Sequence, residues 1–309
     1  MEIVHLKQEK MKKLLIVLFI ALPAVFWAQQ DPQYTLHQFN PLLINPAFTG
    51  SRGGMEANVS YRNQWMGMDK SPRTFGANFQ KRYFSDKLAT GVSYYGDRIG
   101  SLSRNVVQAS QAYHLTMTKF NLSLALNVGL EQFTGGLAGI QHTISSEVDN
   151  AFASDVQKTS LNFGAGAYLY SPKFWAGFSL PHLMKSDWGK ATTGDVQAAY
   201  ASVHSFLTAG GIVNVNPMVD LKPFVLIKWT ENVSPMMELG AMAFWTKKIG
   251  VGAGYRVGDA LILNAEWMVN DNFRIAYAYD RTISGLTAFS QGAHEIGIRY
   301  NIGGIVGLR

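Results

Sequence analysis

A chain of 309 residues holds one large domain or two ordinary ones, and composition narrows the choice more than length does. Hydrophobic residues make up 47% and charged residues only 16%, below the roughly 25% of a usual soluble domain, so much of the surface must tolerate an apolar setting. Thirty glycines with 12% aromatics favour many strands and tight turns. The absence of cysteine excludes a disulfide framework, a thiolate metal site and a lipidated cysteine anchor.

The chain opens with "KMKKLLIVLFIALPAVFWAQQ" at 10–30: a basic cluster at Lys10, Lys12 and Lys13, an apolar run from Leu14 to Ala24, and the small residue Ala28 before polar sequence. This reads as a signal peptide over residues 1–28, with Met11 an alternative start and Phe26 at a position where a small residue is preferred. The run is about half of the ~20 residues a membrane-crossing helix needs, which favours removal over anchoring. Its loss takes four Lys/Arg and two acids and lowers the net charge from +6 to +4. So mild a charge says little about partners, and nucleic acid is not expected for an exported chain.

Residues 29–52 form a Pro-rich segment containing "FNPLLINPAFTG", in which Leu42, Leu43 and Ile44 lie between two Asn-Pro steps. Pro32, Pro41 and Pro46 are expected to hold it extended and block helix continuation. Its apolar cluster needs cover, either as a plug in a barrel mouth or by docking on a periplasmic partner. The plug is favoured because it needs no second protein.

From residue 53 to 302 the signal is alternation of period two. "NLSLALNVGL" sets Leu122, Leu124, Leu126, Val128 and Leu130 against Asn121, Ser123, Ala125, Asn127 and Gly129. "LNFGAGAYLY" and "HEIGIRYNI" repeat the pattern. The segments number fourteen: 55–65, 73–82, 88–96, 105–117, 120–132, 161–170, 173–180, 204–214, 222–229, 237–245, 249–257, 261–270, 272–280 and 294–302. Linkers after even-numbered segments are short and those after odd-numbered ones mostly longer, notably 133–160 and 181–203. "GDA" at 258–260 breaks that rule. The pattern predicts an all-β, transmembrane antiparallel barrel of about 14 strands in the outer membrane, its termini and short turns periplasmic, with a tail at 303–309.

A β-sandwich also alternates, but its polar face meets water and should carry Lys, Glu, Asp and Thr. Here the non-greasy face is Gly, Ala, Ser and Asn with scattered charges, which suits a confined lumen. Trp65, Tyr94, Trp229, Trp245 and Tyr279 lie at segment ends, where interfacial girdles sit. Arg62, Glu131, Lys228, Arg256, Glu266, Arg274, Glu295 and Arg299 fall on the lumen side; pairing across the interior is the favoured reading, an ion pathway or docking surface the other.

Catalytic, cofactor-binding and metal signals are weak. No G-x-S-x-G, phosphate-cradling G-x-x-x-x-G-K-[ST] or H-E-x-x-H occurs. The glycines of "GVGAGYRVGD" have the wrong spacing for a dinucleotide loop and read as small lumen residues. His142 lies near Ser145 and Ser146, but sequence nearness does not make a triad, so no enzyme is expected.

Six blocks carry a family resemblance: "DPQYTLHQFNPLLINPAFTGS", "YRNQWMGMDKSPRTF", "GAGAYLYSPKFWAGFSLPHL", "KPFVLIK", "YRVGDAL" and "RIAYAYDRTIS…GAHEIGIRY". In order along nearly the whole exported chain, they resemble the PorP/SprF family of type IX secretion system outer-membrane proteins of the Bacteroidota. The resemblance implies a barrel related to the long-chain fatty-acid transporters and a non-enzymatic accessory role in protein export, in some members linked to gliding motility. The partners it implies are outer-membrane lipid, secreted cargo such as large adhesins with a C-terminal sorting domain, and periplasmic and outer-membrane components of the machinery. The alternative is a channel for small or hydrophobic solutes. The matching positions, structural or docking in role, are Asp31, Pro32, Gln33, Tyr34, Asn40, Pro41, Asn45, Pro46, Gly50, Arg62, Trp65, Pro72, Pro181, His182, Asp259, Asp280, His294 and Glu295. Loops 133–160 and 184–203 and the trailing "GGIVGLR" match none of the blocks.

Overall fold

The computed structural model describes residues 32–83, 85–136, 155–184, 186–187, 200–201, 203–231 and 233–302. Fourteen strands build the wall: β1 (Met55–Asn63), β2 (Arg73–Tyr83), β3 (Leu88–Ile99), β4 (Leu102–Thr116), β5 (Asn121–Gly135), β6 (Val156–Tyr170) and β7 (Phe174–His182). They continue with β8 (His204–Gly211, resumed at Val213–Asn216), β9 (Val219–Thr230), β10 (Val233–Trp245), β11 (Ile249–Arg256), β12 (Ala260–Met268), β13 (Phe273–Thr282) and β14 (Ala293–Ile302). Each pairs antiparallel with its chain neighbours, and β14 returns to β1 from Met55↔Ile302 to Asn63↔His294. Closure removes the sheet edges, so backbone polar groups are satisfied without water. A two-stranded ribbon, Ser186–Asp187 against Tyr200–Ala201, forms a separate sheet.

Every expected segment falls on a strand, but the expectation of mostly longer links after odd-numbered strands is corrected in part. Only Gly100 and Ser101 separate β3 from β4, β9 ends at Thr230 with β10 starting at Val233, and β11 gives way to β12 across residues 257–259. The cause is visible in β3 and β4, where pairing continues through Asp97↔Arg104 and Arg98↔Ser103. Polar hairpin tips keep their backbone hydrogen bonds after the apolar alternation has stopped, so the pattern ends before the strand does.

The apolar face points outward, the reverse of a sandwich. Leu126 is 70% exposed while its neighbour Asn127 is 5% exposed, and on β14 Ile296, Ile298, Tyr300 and Ile302 are exposed beside buried Glu295, Arg299 and Asn301. Trp245 and Trp267 both register with Ile249 across adjacent strands, at the end of the barrel where β1 begins and β14 finishes. They sit where an interfacial girdle belongs, and Trp267 joins the aromatics expected there. Trp65 does not: it lies two residues past β1 in the left-handed region (φ 52°), inside the loop 64–72. That loop is joined to 283–292 by Met66 N–H to Gly292 O (2.8 Å) and Gln291 N–H to Met66 O (2.7 Å).

Residues 32–54 lie inside the barrel. Their two Asn-Pro steps do not hold the chain extended as expected; each starts a single 3₁₀ turn, Pro41–Leu43 and Pro46–Phe48. Proline suits the first helical position because its missing N–H would be an orphan there and its φ is already set. Asn45 caps the second turn, its Oδ1 accepting from Ala47 N–H at 2.9 Å. Nor do the three apolar residues share one mouth of the barrel, because the turn splits them. Leu42 packs with Ala47 and Phe48 on Ala89, Ala112, Ala125, Tyr168 and Tyr170, whereas Leu43 and Ile44 join Tyr34, Phe206 and Leu226. Leu36 and Phe39 fill a third cluster against Ala276 and Ala278. The wall alanines make room for the segment, and each fully buried Leu, Ile or Phe side chain contributes about 1.5–3 kcal/mol.

Candidate functional site

The segment is held at both ends by polar groups, and the denser set surrounds Thr35. Arg62 at the end of β1 and Arg256 at the end of β11 both donate to Thr35 Oγ1, at 2.7 and 3.0 Å. The hydroxyl in turn donates to Asp280 Oδ2 (2.8 Å), and Thr35 N–H donates to Glu295 Oε2 (2.7 Å). The wall residues also bind one another: Asp280 takes Arg62 at 2.8 Å and Arg256 at 2.9 Å, Arg62 reaches Glu295 at 3.3 Å, and Arg256 reaches Glu238 at 2.8 Å and the half-exposed Asp259 at 3.1 Å. His37 Nε2 lies 3.0 Å from Glu238 Oε1. All except Asp259 are buried. Charges so deep are stable only when hydrogen-bonded and paired, and here two guanidiniums face three carboxylates around one hydroxyl.

At the other end, where β1 begins, Gly50 N–H donates to Gln80 Oε1 (2.7 Å), and Thr49 O lies 2.9 Å from His114 Nε2. Arg52 pairs with Glu56 at 3.1 Å and donates to Gln38 O, tying the segment back on itself. Gly50 is needed twice over: its φ is +71°, and a Cβ there would stand 2.3 Å from Ala89 Cβ. Between the ends, Ser179 Oγ donates to Ile44 O (2.6 Å) and Asn78 Nδ2 to Asn40 Oδ1 (2.6 Å). Asn45 Nδ2 donates to Ala167 O (3.2 Å), in a space that a Cβ at Gly166 would close, coming within 2.3 Å of Asn45 Oδ1.

The expected site residues therefore separate into groups. Pro32, Gln33, Tyr34, Asn40, Pro41, Asn45, Pro46 and Gly50 belong to the lumen segment, and Arg62, Asp259, Asp280 and Glu295 meet at its Thr35 end. Pro181 and His182 lie on a different part of the wall, where Pro181 O accepts from Asn127 and His182 Nε2 lies 3.0 Å from Tyr95 Oη. Pro72 is buried at the foot of the loop 64–72 with its carbonyl accepting from Gln64 N–H. His294 faces the opposite side of β14 from Glu295 and contacts Tyr277 and Tyr279. Asp31, His142, Ser145 and Ser146 lie outside the described residues. Of the other lumen charges, Glu131 pairs with Arg104, and Arg274 and Arg299 pair with Glu266, as the pairing reading expects; Lys228 is buried against the Phe206 ring. Sequence reasoning missed Thr35, His37 and Glu238. A lone acid in the apolar run "MMELGAM" was the available signal for the last.

A closed fourteen-strand barrel with an apolar exterior and a charged interior that grips an upstream segment of its own chain defines a class: a barrel of the outer membrane. Residues 26–300 match the model of the type IX secretion system membrane protein PorP/SprF, and the chain belongs to that family. It is thus an outer-membrane component of type IX secretion that works with other parts of that machinery. Among solved structures the chain is similar to a FadL homologue of Pseudomonas aeruginosa (11% identity, 88% of this chain and 95% of that one, TM-score 0.51). It is also similar to Omp33 of Acinetobacter baumannii (9% identity, 82% and 100%, TM-score 0.47). At 11% identity the likeness to the FadL homologue is one of fold. No curated protein sequence matches the chain.

Proposed function

We propose that this protein is a non-enzymatic accessory of type IX secretion that helps export, or hold at the surface, particular cargo such as large adhesins with a C-terminal sorting domain, in a system that can extend to gliding. Residues 1–28 are removed on export, so that N-terminal sequencing of the outer-membrane protein starts at Gln29. The short turns face the periplasm and the loops 64–72 and 283–292 face outward. Residues 32–54 act as a plug and the barrel wall as a platform. The observation that carries this reading is the two-ended grip on the lumen segment, because a barrel filled by its own chain suits a docking scaffold better than an open conduit. The second reading, a channel for small or hydrophobic solutes, requires the segment to move aside. Deleting the gene and comparing secreted and surface proteins by mass spectrometry separates the two. Loss of one or a few sorting-domain proteins is expected. If every such protein still reaches the surface and only solute uptake falls, the channel reading replaces this one.

A further inference from the structure

At the end of the barrel where β1 finishes, the outward faces of β2 and β3 carry two arginines in direct register: Arg73 opens β2, Arg98 is the last residue but one of β3, and the two are Cα partners. Both are exposed, on the same face as Phe75, while Thr74 and Asp97 turn the other way and bond each other (2.6 Å). Directly opposed residues of an antiparallel pair have Cβ atoms roughly 5 Å apart, and like charges there destabilise the pairing. Neither arginine has a hydrogen-bond or ion-pair partner among the described residues.

A second observation is geometric. The loop 64–72 brings Lys70 beside the pair, with its backbone in the left-handed region (φ 54°) and its carbonyl accepting from Gly100 N–H (3.0 Å) at the tip between β3 and β4. A residue other than glycine keeps such a backbone only where its surroundings fix it. The result is a cleft of about 230 Å³ lined by Asp69, Lys70, Ser71, Arg73, Arg98 and Gly100. The next side chains on the same face set its depth. Tyr61 and Phe75 are exposed register partners, and the Tyr94 ring packs on Phe75 with centroids 6.1 Å apart. The Tyr94 hydroxyl donates to Asn105, which registers with Gly96, two residues nearer Arg98 (2.8 Å). Aromatics with one polar end mark the boundary between acyl chains and head groups, so the arginines stand at head-group depth.

We propose that this cleft binds the phosphate of a phosphorylated glycolipid of the outer leaflet, with Arg73 and Arg98 sharing the phosphate oxygens, Lys70 closing over them and the acyl chains lying along Tyr61 and Phe75. The choice of leaflet rests on the orientation proposed above, in which loop 64–72 faces outward. One phosphate between the two guanidiniums turns a repulsion into charge-assisted contacts, and the planar guanidinium fork suits phosphate. A free phosphate ion offers the same oxygens but leaves the aromatic face without an occupant, and so binds less well.

The test uses the full exported chain in an uncharged detergent, mixed with lipid A, with lipid A stripped of its phosphates, or with inorganic phosphate, and read by native mass spectrometry. Retention of one lipid A per barrel is expected, with the dephosphorylated form at least tenfold weaker and inorganic phosphate unable to displace lipid A at equal concentration. Arg73→Gln and Arg98→Gln are each expected to weaken lipid A about tenfold, as loss of a charge-assisted contact implies. Both positions are exposed, so the variants should keep the heat-modifiable gel mobility, and the comparison of the two lipid forms needs no variant. Lys81→Gln removes a charge from the same face of β2 at the opposite end and should leave binding unchanged. Equal retention of the two lipid forms, displacement by inorganic phosphate at equal concentration, wild-type affinity in both arginine variants, or an equal loss in Lys81→Gln would overturn the proposal. Orientation is read separately: the chain has no cysteine, so Ala288→Cys in the exposed loop 283–292 should react with a membrane-impermeant thiol reagent on intact cells, and failure to react would overturn the leaflet assigned. Cargo secretion enters none of these readouts, and the secretion reading stands or falls separately.

Discussion

A threonine hydroxyl has one hydrogen and two lone pairs, and Thr35 uses all of them: it accepts from Arg62 and Arg256 and donates to Asp280. No apolar residue of that size can replace it without leaving two guanidinium hydrogens and a carboxylate oxygen short of a partner in a dry site. Thr35→Val is expected to destabilise the barrel by about 1–3 kcal/mol, the cost of stranding buried polar groups, while Thr35→Ser stays close to wild type. The temperature at which the purified protein loses its folded gel mobility measures both. If valine and serine melt alike, the hydroxyl is not what holds this end of the segment. Legibility at this scale was uneven for a physical reason. Arg62 and Glu295 could be singled out because a charge in an alternating apolar strand is conspicuous, whereas Asp280 was marked only by the family resemblance. Thr35 is ordinary in sequence, and its partner Asp280 lies 245 residues away, a separation that no local pattern reports.

Period two was legible because a strand half in lipid and half in a lumen repeats its environment every second residue, and all fourteen strands were found from it. Hairpin tips were not, since water on both faces erases the alternation while backbone pairing persists. The Asn-Pro pairs misled in a different way: as chain breakers they suggested an extended path, whereas an Asn cap followed by Pro is also how a short helical turn begins. The two turns bend the segment so that its apolar residues reach different parts of the wall, and the alanines opposite Leu42 and Phe48 are sized for that path. Deleting residues 31–48 removes the turns and the segment's contribution to all three apolar clusters, leaving an open lumen lined by the wall's small, polar and larger apolar side chains, among them Tyr168, Phe206 and Leu226. Single-channel conductance in planar bilayers is expected to rise from near background to that of an open pore. An unchanged conductance would count against the segment as the element that closes the barrel.

For the molecule as a whole, the direction of the apolar face decides everything else, because a closed wall with grease inside would be a soluble barrel and the same wall with grease outside must sit in lipid. The two faces of β5 put this to a single-residue test. Leu126 points outward and is 70% exposed, while Ser123 and Asn127 are buried on the lumen side. Leu126 registers with Gln111 of β4 and Ala165 of β6, well inside the span of all three strands, so a charge placed there meets the hydrocarbon and cannot reach the interface along the strand. Leu126→Arg is therefore expected to lower the stability of the folded, inserted barrel by about 2–4 kcal/mol, the measured range for arginine near a bilayer midplane. Reversible folding into phospholipid vesicles, followed by tryptophan fluorescence against denaturant, reads the change directly. Repeating the measurement with Leu130→Arg, the last apolar residue of the outward face before the exposed Gln132, should give a smaller loss, because the cost of a lipid-facing charge falls toward the interface. A surface exposed to water would show no such gradient with depth, and equal small effects at both positions would mean that the outward face does not meet lipid.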